Sequence, residues 1–167
     1  GTITQGSGKI TYDGGDQTVL TLNGNGTSGS YENLEIAGTG TKTLAGSSDI
    51  YGDLILTSGS FDLNGKTIYA KNDILTTSGQ IIASSGSNIT YNNSGSHALS
   101  GVNSENITIK TLTTGGSVTS TGDITCGSID MSSGTKTFTL DGETINIEDD
   151  IIVTAGTLNI TGGIVNI

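Results

Sequence analysis

The chain of 167 residues has no proline, no tryptophan and no arginine, and a single cysteine, histidine and methionine. Each absence closes off a class of protein. One cysteine cannot form an intramolecular disulfide, so no covalent staple holds the fold. With a formal charge of −10 and only two phenylalanines, phosphates cannot be neutralised nor bases stacked, which excludes a nucleic-acid binder. Apolar runs stop after a handful of residues, far short of the ~20 that a membrane-spanning helix needs. No basic segment followed by an apolar one opens the sequence, so a secretory leader is expected either to have been removed or never to have been attached. Alanine is scarce and helix is disfavoured. A collagen-like chain would need abundant proline and glycine at every third position.

What is present is biased. Gly, Thr, Ser and Asn make up 88 of the 167 residues. Ile, Leu, Val and Phe total 40 residues, 24% of the chain, just above the ~20% level associated with disorder. A fold is possible only if this apolar quarter is used economically, by single Ile or Leu residues alternating with small polar ones in a systematic repeat.

The repeat is visible. Residues 61–79 (FDLNGKTIYAKNDILTTSG) and 138–156 (FTLDGETINIEDDIIVTAG) match without a gap at 9 of 19 positions, an offset of 77. Its submultiple shows in Ile50, Ile68, Ile89, Ile107, Ile124, Ile145 and Ile164, whose mean spacing is 19. Within a unit, short runs of period two, such as Phe61-Asp62-Leu63 and Thr67-Ile68-Tyr69, are broken by Gly, Asn, Asp or Ser. Three short strands per unit separated by turn residues is what one coil of a solenoid requires. A sandwich would show longer strands and larger apolar faces. The expected fold is therefore all-β: a single-stranded parallel β-helix, or β-solenoid, of about 19 residues per coil and roughly eight to nine coils. It forms one domain over 1–167, with 1–30 less regular and 31–167 clearly repeated. Parallel pairing at ~4.8 Å between coils gives a rod about 40 Å long. The lack of proline fits, because nearly every strand is internal.

The segments 31–44 (YENLEIAGTGTKTL) and 52–65 (GDLILTSGSFDLNG) resemble the β-solenoid repeat regions of bacterial surface adhesins, filamentous haemagglutinin-like regions among them, and of extracellular filament proteins. The resemblance covers roughly 31–167. It implies an extracellular or cell-surface location and a structural or adhesive role without catalysis.

The ends carry a further expectation. A solenoid has two open edges that proteins normally cap, and no capping helix, proline cluster or charged terminal segment is evident. Thr2, Ile3 and Thr4 begin inside a strand-like run, and Ile160, Ile164, Val165 and Ile167 stop in the middle of a coil, with Ile164 expected in the slot of Ile145. The chain is then either a piece of a longer solenoid or a subunit whose next coil comes from another molecule. Head-to-tail stacking of identical chains would propagate without closing. The leading expectation is thus a structural subunit of an extracellular filament. The alternative is the stalk of a surface adhesin that binds carbohydrate or a cell-surface partner, for which Tyr51 and Tyr69 are the candidate outer-face aromatics.

Chemistry is sparse. Asp49, Asp53, Asp73, Asp123 and Asp150 each stand just before an apolar residue that opens a strand-like run and suit corner caps that bond backbone N–H groups. Glu148, Asp149 and Asp150 form the one candidate metal site, for Ca²⁺, an ion that takes six to eight oxygens. No other cofactor is expected. The absence of arginine and the lysines scattered at corners argue against a polysaccharide-cleaving enzyme. His97 lacks a metal-ligating companion and is expected on a loop or at the surface; Cys126 is expected to be a small buried apolar residue. Thr-x-Thr pairs do not recur once per coil, so a flat threonine array of the ice-binding kind is not expected. Asn-x-Ser/Thr sequons occur at Asn25, Asn88, Asn92, Asn106 and Asn159, sites for glycan only where the machinery exists.

Overall fold

A computed structural model describes residues 7–23 and 29–167, and these form a stack of short parallel strands without helix: a β-solenoid of about eight turns. The first sheet supplies one strand to every turn, in the spatial order Lys9–Tyr12, Asn33–Ile36, Leu54–Leu56, Ile74–Thr76, Ser96–Leu99, Ser117–Ser120, Thr137–Asp141 and Thr157–Thr161. A second sheet of four strands, Gln17–Val19, Thr41–Leu44, Ser60–Asp62 and Gln80–Ile82, belongs to the first four turns. A third sheet runs from Ser48–Ile50 to Ile164–Asn166.

Alternation dictates this arrangement. In strand Asn33–Ile36, Leu34 and Ile36 are buried while Asn33 and Glu35 face out, and the period of two puts every second side chain inside. In register, Ile10, Leu34, Leu54 and Ile74 form one ladder and Tyr12, Ile36, Leu56 and Thr76 the next. On the third sheet, Ser48, Ile68, Ile89, Ile109, Ile129 and Ile151 stack in the same way. Equivalent positions recur about every 20 residues, as in Leu34, Leu54 and Ile74, one residue more than the isoleucine spacing suggests. The difference arises because those isoleucines belong to several ladders. Ile68 sits on the ladder just described, whereas Ile145 lies between Ile124 and Val165.

Corners need backbone that most residues resist. Gly38 has φ +70°, and a Cβ there would collide with the Asp13 carbonyl of the preceding turn. Only glycine lets coils approach this closely at such a dihedral.

The rod is not uniform along its length. In turns five and six the second and third strands fuse into single strands, Asn103–Thr111 and Ile124–Asp130, the former carrying a register shift between Ser104 and Thr108. On the first sheet, Leu99 pairs with Ile74 and opens the sequence Leu99, Ser120, Leu140, Ile160, while a new ladder of His97, Val118, Phe138 and Leu158 begins beside it. The inward pair thus moves by two residues between turns four and five. Ser100 fills the step: its hydroxyl accepts from the Thr76 N–H at 2.9 Å, and its own N–H donates to the Ile74 carbonyl at 3.0 Å.

Ile68 is fully buried between Ser48 and Ile89. Ile68→Asp leaves an unpaired carboxylate in the core and is expected to cost about 3 kcal/mol or more. Thr119→Asp, on an outward position of the first sheet, is expected to stay within about 0.5 kcal/mol of the parent. Chemical denaturation followed by circular dichroism measures both.

Candidate functional site

The last turn is the most unusual surface of the molecule. Strand Thr157–Thr161 pairs only with Thr137–Asp141, and Ile164–Asn166 only with Thr144–Ile147, so the outer edge of each is open among the described residues. Ile160 continues the ladder of Leu140 but is 48% exposed. Val165, not Ile164, occupies the slot above Ile145. Ile164 pairs with Thr144 on the outward side and is 57% exposed, correcting the position the repeat suggests. Ile167 is 83% exposed. Residues 151–167 contain no charged side chain although the chain carries 16 acids, so charge, one device that blunts a free edge, is absent here.

The opposite end differs. Thr2, Ile3 and Thr4 lie outside the described residues. The first described strand, Lys9–Tyr12, carries an ion pair from Lys9 Nζ to Glu35 at 2.7 Å, and this ammonium chiefly holds the Glu35 carboxyl below its ordinary range. Ile10 and Tyr12 are only partly buried against the core. Nearby, Asp16, Gln17, Thr18, Thr41 and Thr43 line an open cleft of about 280 Å³.

The aspartates serve as clips between coils. Asp73 Oδ1 accepts from the Ala98 N–H at 2.8 Å, Asp123 Oδ1 from Thr144 at 2.8 Å, and Asp16 Oδ1 from Thr41 at 2.8 Å. Asp53 instead accepts from the Asn72 amide at 2.7 Å. Asp49 is half-buried, and burial raises its carboxyl against the pull of Lys71. Glu148, Asp149 and Asp150 are all exposed at a corner whose backbone is engaged: Glu148 N–H donates to Cys126 O and Asp149 N–H to Gly127 O. Among the described residues, no group of three or more His, Cys, Asp or Glu is placed to hold a metal ion.

The interior holds polar groups that the sequence reading put elsewhere. Lys42 and Lys136 are not corner lysines; both are fully buried. Lys42 Nζ donates to the Gly14 carbonyl at 2.7 Å and also to Thr39 O. Lys136 Nζ reaches back two coils to the Gly95 carbonyl at 2.7 Å, and burial pushes this ammonium below its ordinary value. His97, expected on a loop or at the surface, lies in strand Ser96–Leu99 and is 5% exposed. Its ring stacks on Tyr91 with centroids 5.6 Å apart. Parity was the available signal: Lys42 alternates with Leu44, Lys136 with Phe138, and His97 with Leu99, each on the apolar phase of its strand. Cys126 is free and buried, as expected, and burial pushes its thiol up to about 12.

On the outer face of the third sheet, Tyr51 and Tyr69 are half-buried in successive turns, and Lys71 Nζ sits 5.3 Å from the Tyr51 ring centroid. Of the sequons, Asn25 lies outside the described residues; Asn88 donates its amide to Thr67 Oγ1 at 3.4 Å and Asn106 to Ala83 O at 3.3 Å. Comparison of the chain with protein-family models, with curated proteins and with solved structures finds no match to any of them.

Two outcomes are expected here. Asp73→Ala strands the Ala98 amide and should cost about 1–3 kcal/mol, whereas Asp73→Asn keeps an acceptor and should cost less, as read by chemical denaturation. Cys126, with its thiolate suppressed, should resist alkylation by iodoacetamide at about pH 8 in the native protein and react fully in denaturant, as read by intact mass.

Proposed function

We propose that this chain is the structural subunit of an extracellular filament that lengthens by stacking the last turn of one molecule on the first turn of the next. The observation that carries the reading is the last turn: 17 residues without charge, with Ile160, Ile164 and Ile167 exposed beside open strand edges. An uncharged edge of this kind is a pairing template. The first turn of a second copy offers Ile10 and Tyr12, partly buried and parallel in register with the next coil, so Thr157–Thr161 would add to Lys9–Tyr12 as one more parallel pair. The contact is heterologous and does not close on itself, which gives fibres rather than rings. The resemblance of the repeats to extracellular filament proteins and adhesins supports the extracellular setting.

A second reading, an adhesin stalk whose flank binds carbohydrate or a cell-surface partner, is favoured by one observation. Tyr51 and Tyr69 remain partly open to solvent on the outer face, where aromatic rings and Lys71 could meet a sugar.

Sedimentation and electron microscopy separate the two. Stacking predicts concentration-dependent filaments with an axial repeat of about 38 Å, eight turns at ~4.8 Å each. The pair Ile160→Lys and Val165→Lys should leave a 16.8 kDa monomer with an unchanged far-ultraviolet spectrum. A parent chain that stays monomeric at every concentration removes the subunit reading and leaves the stalk.

A further inference from the structure

We infer that the middle of the rod is an acid-sensitive joint, in which protonation of His97 loosens the packing of turns four to six while the first turns stay closed. The inference rests on how the interior is built at the step between turns four and five. The buried polar side-chain atoms without a hydrogen-bond partner, among the described residues, are Asn92 Oδ1, both ring nitrogens of His97 and Thr111 Oγ1. All of them fall in two consecutive turns, and Tyr91 pairs directly with Thr111. Elsewhere the interior polar groups are satisfied, as in Lys42 on two carbonyls. The unpartnered atoms therefore gather where the inward register shifts by two residues and the second sheet ends.

His97 is held in its place from several sides. Tyr91 stacks on one face of the ring, and Val118 of the following turn is its ladder neighbour. Gly95 leaves the space that the ring occupies, since a Cβ there would stand 2.7 Å from its Cε1. The charged groups facing the ring are the Lys136 ammonium, from the seventh turn, and the Asp73 carboxylate, from the corner before Ile74–Thr76. Its own strand, Ser96–Leu99, adds no charge. Asp73 is already used, because its Oδ1 accepts from the Ala98 N–H.

Neutral imidazole tolerates this site, since one nitrogen carries a proton and the other a lone pair. Imidazolium is a double donor, and here neither ring nitrogen has a side-chain acceptor, the Asn93 backbone alone favours the charged form by hydrogen bonding, and an ammonium is a neighbour. Burial is the main cause that holds His97 below its ordinary value; Lys136 adds to it, and Asp73 and the Asn93 backbone oppose. A folded value below the unfolded one means that the unfolded chain binds the extra proton more readily. Stability is then full above about pH 6.5, the ordinary imidazole value, and is lost as pH falls from there towards the folded value. The sequence contains one histidine, so no other imidazole contributes.

The test uses the intact chain. Nuclear magnetic resonance of the sole imidazole should give a titration midpoint below about 6.5. Hydrogen exchange, corrected for intrinsic rates, should show Ser87–Tyr91, Ser96–Leu99 and Ser117–Ser120 losing protection severalfold, up to the ceiling of about tenfold that one imidazole can supply, between about pH 7.5 and 5.5, with Asn33–Ile36 and Thr41–Leu44 unchanged. His97→Phe keeps the stack on Tyr91 and should abolish the local loss. If that variant does not fold, Lys136→Met removes the repelling neighbour and should raise the imidazole midpoint and shrink the loss. A midpoint at or above the ordinary value, a loss spread evenly along the rod, or the same loss in these variants would overturn the joint.

Discussion

Parallel pairing of each coil with the next, at ~4.8 Å, is the constraint on which everything else in this molecule depends. It makes the environment of every inward side chain a copy of the position one turn away. Ile68 therefore rests on Ile89 and Ile89 on Ile109, and a thin column of single residues stays dry. A chain with 32% hydrophobic residues can fold on such terms, where a sandwich of the same length could not fill its faces. The same constraint forces glycine at the tightest corners and excludes proline. It also gives the aspartates their role, since a carboxylate at a corner meets an unpaired amide of the next coil, as Asp73 meets Ala98.

Where the repeat is interrupted, the constraint produces the polar interior. A two-residue shift of the inward phase on the first sheet replaces the apolar ladder of Tyr12, Ile36 and Leu56 by one that opens with His97. Lys136 then follows in phase with Phe138, turns inward, and finds a carbonyl two coils away. Lys42, on the second sheet, also turns inward and meets the Gly14 carbonyl one coil back. Neither side chain has a carboxylate within ion-pairing distance among the described residues. Both ammonium groups are held by carbonyl oxygens of glycine-rich corners, a weaker arrangement than an ion pair and one that tolerates no further positive charge.

Much of the architecture was legible in the sequence because a solenoid writes its period into composition and spacing alike. Alternation within FDL and TIY, glycine at corners and the absence of proline led to parallel coils, and the eight turns follow at about 20 residues each. The spacing of isoleucines was a weaker guide, because Ile50, Ile68 and Ile145 mark different ladders and a strand can slip by one residue without losing its isoleucine. Hence Ile164 faces outward and Val165 takes the ladder. His97, Lys42 and Lys136 are polar yet buried, because parity along the strand and not polarity sets which side chains face inward. Whether a lysine on the apolar phase is buried depends on a carbonyl contributed by a distant coil, Gly95 for Lys136, and a single strand does not contain that information.

The distribution of charge along the rod makes it an anisotropic particle. All 16 acids and six lysines lie before residue 151, so the flanks of the earlier turns repel one another while residues 151–167 add no side-chain charge. Repulsion between flanks reaches about 10 Å at 0.1 M salt and about 3 Å at 1 M. At low ionic strength, then, two such rods resist approaching side by side. Raising the salt shortens the reach of that repulsion and removes the lateral barrier between flanks.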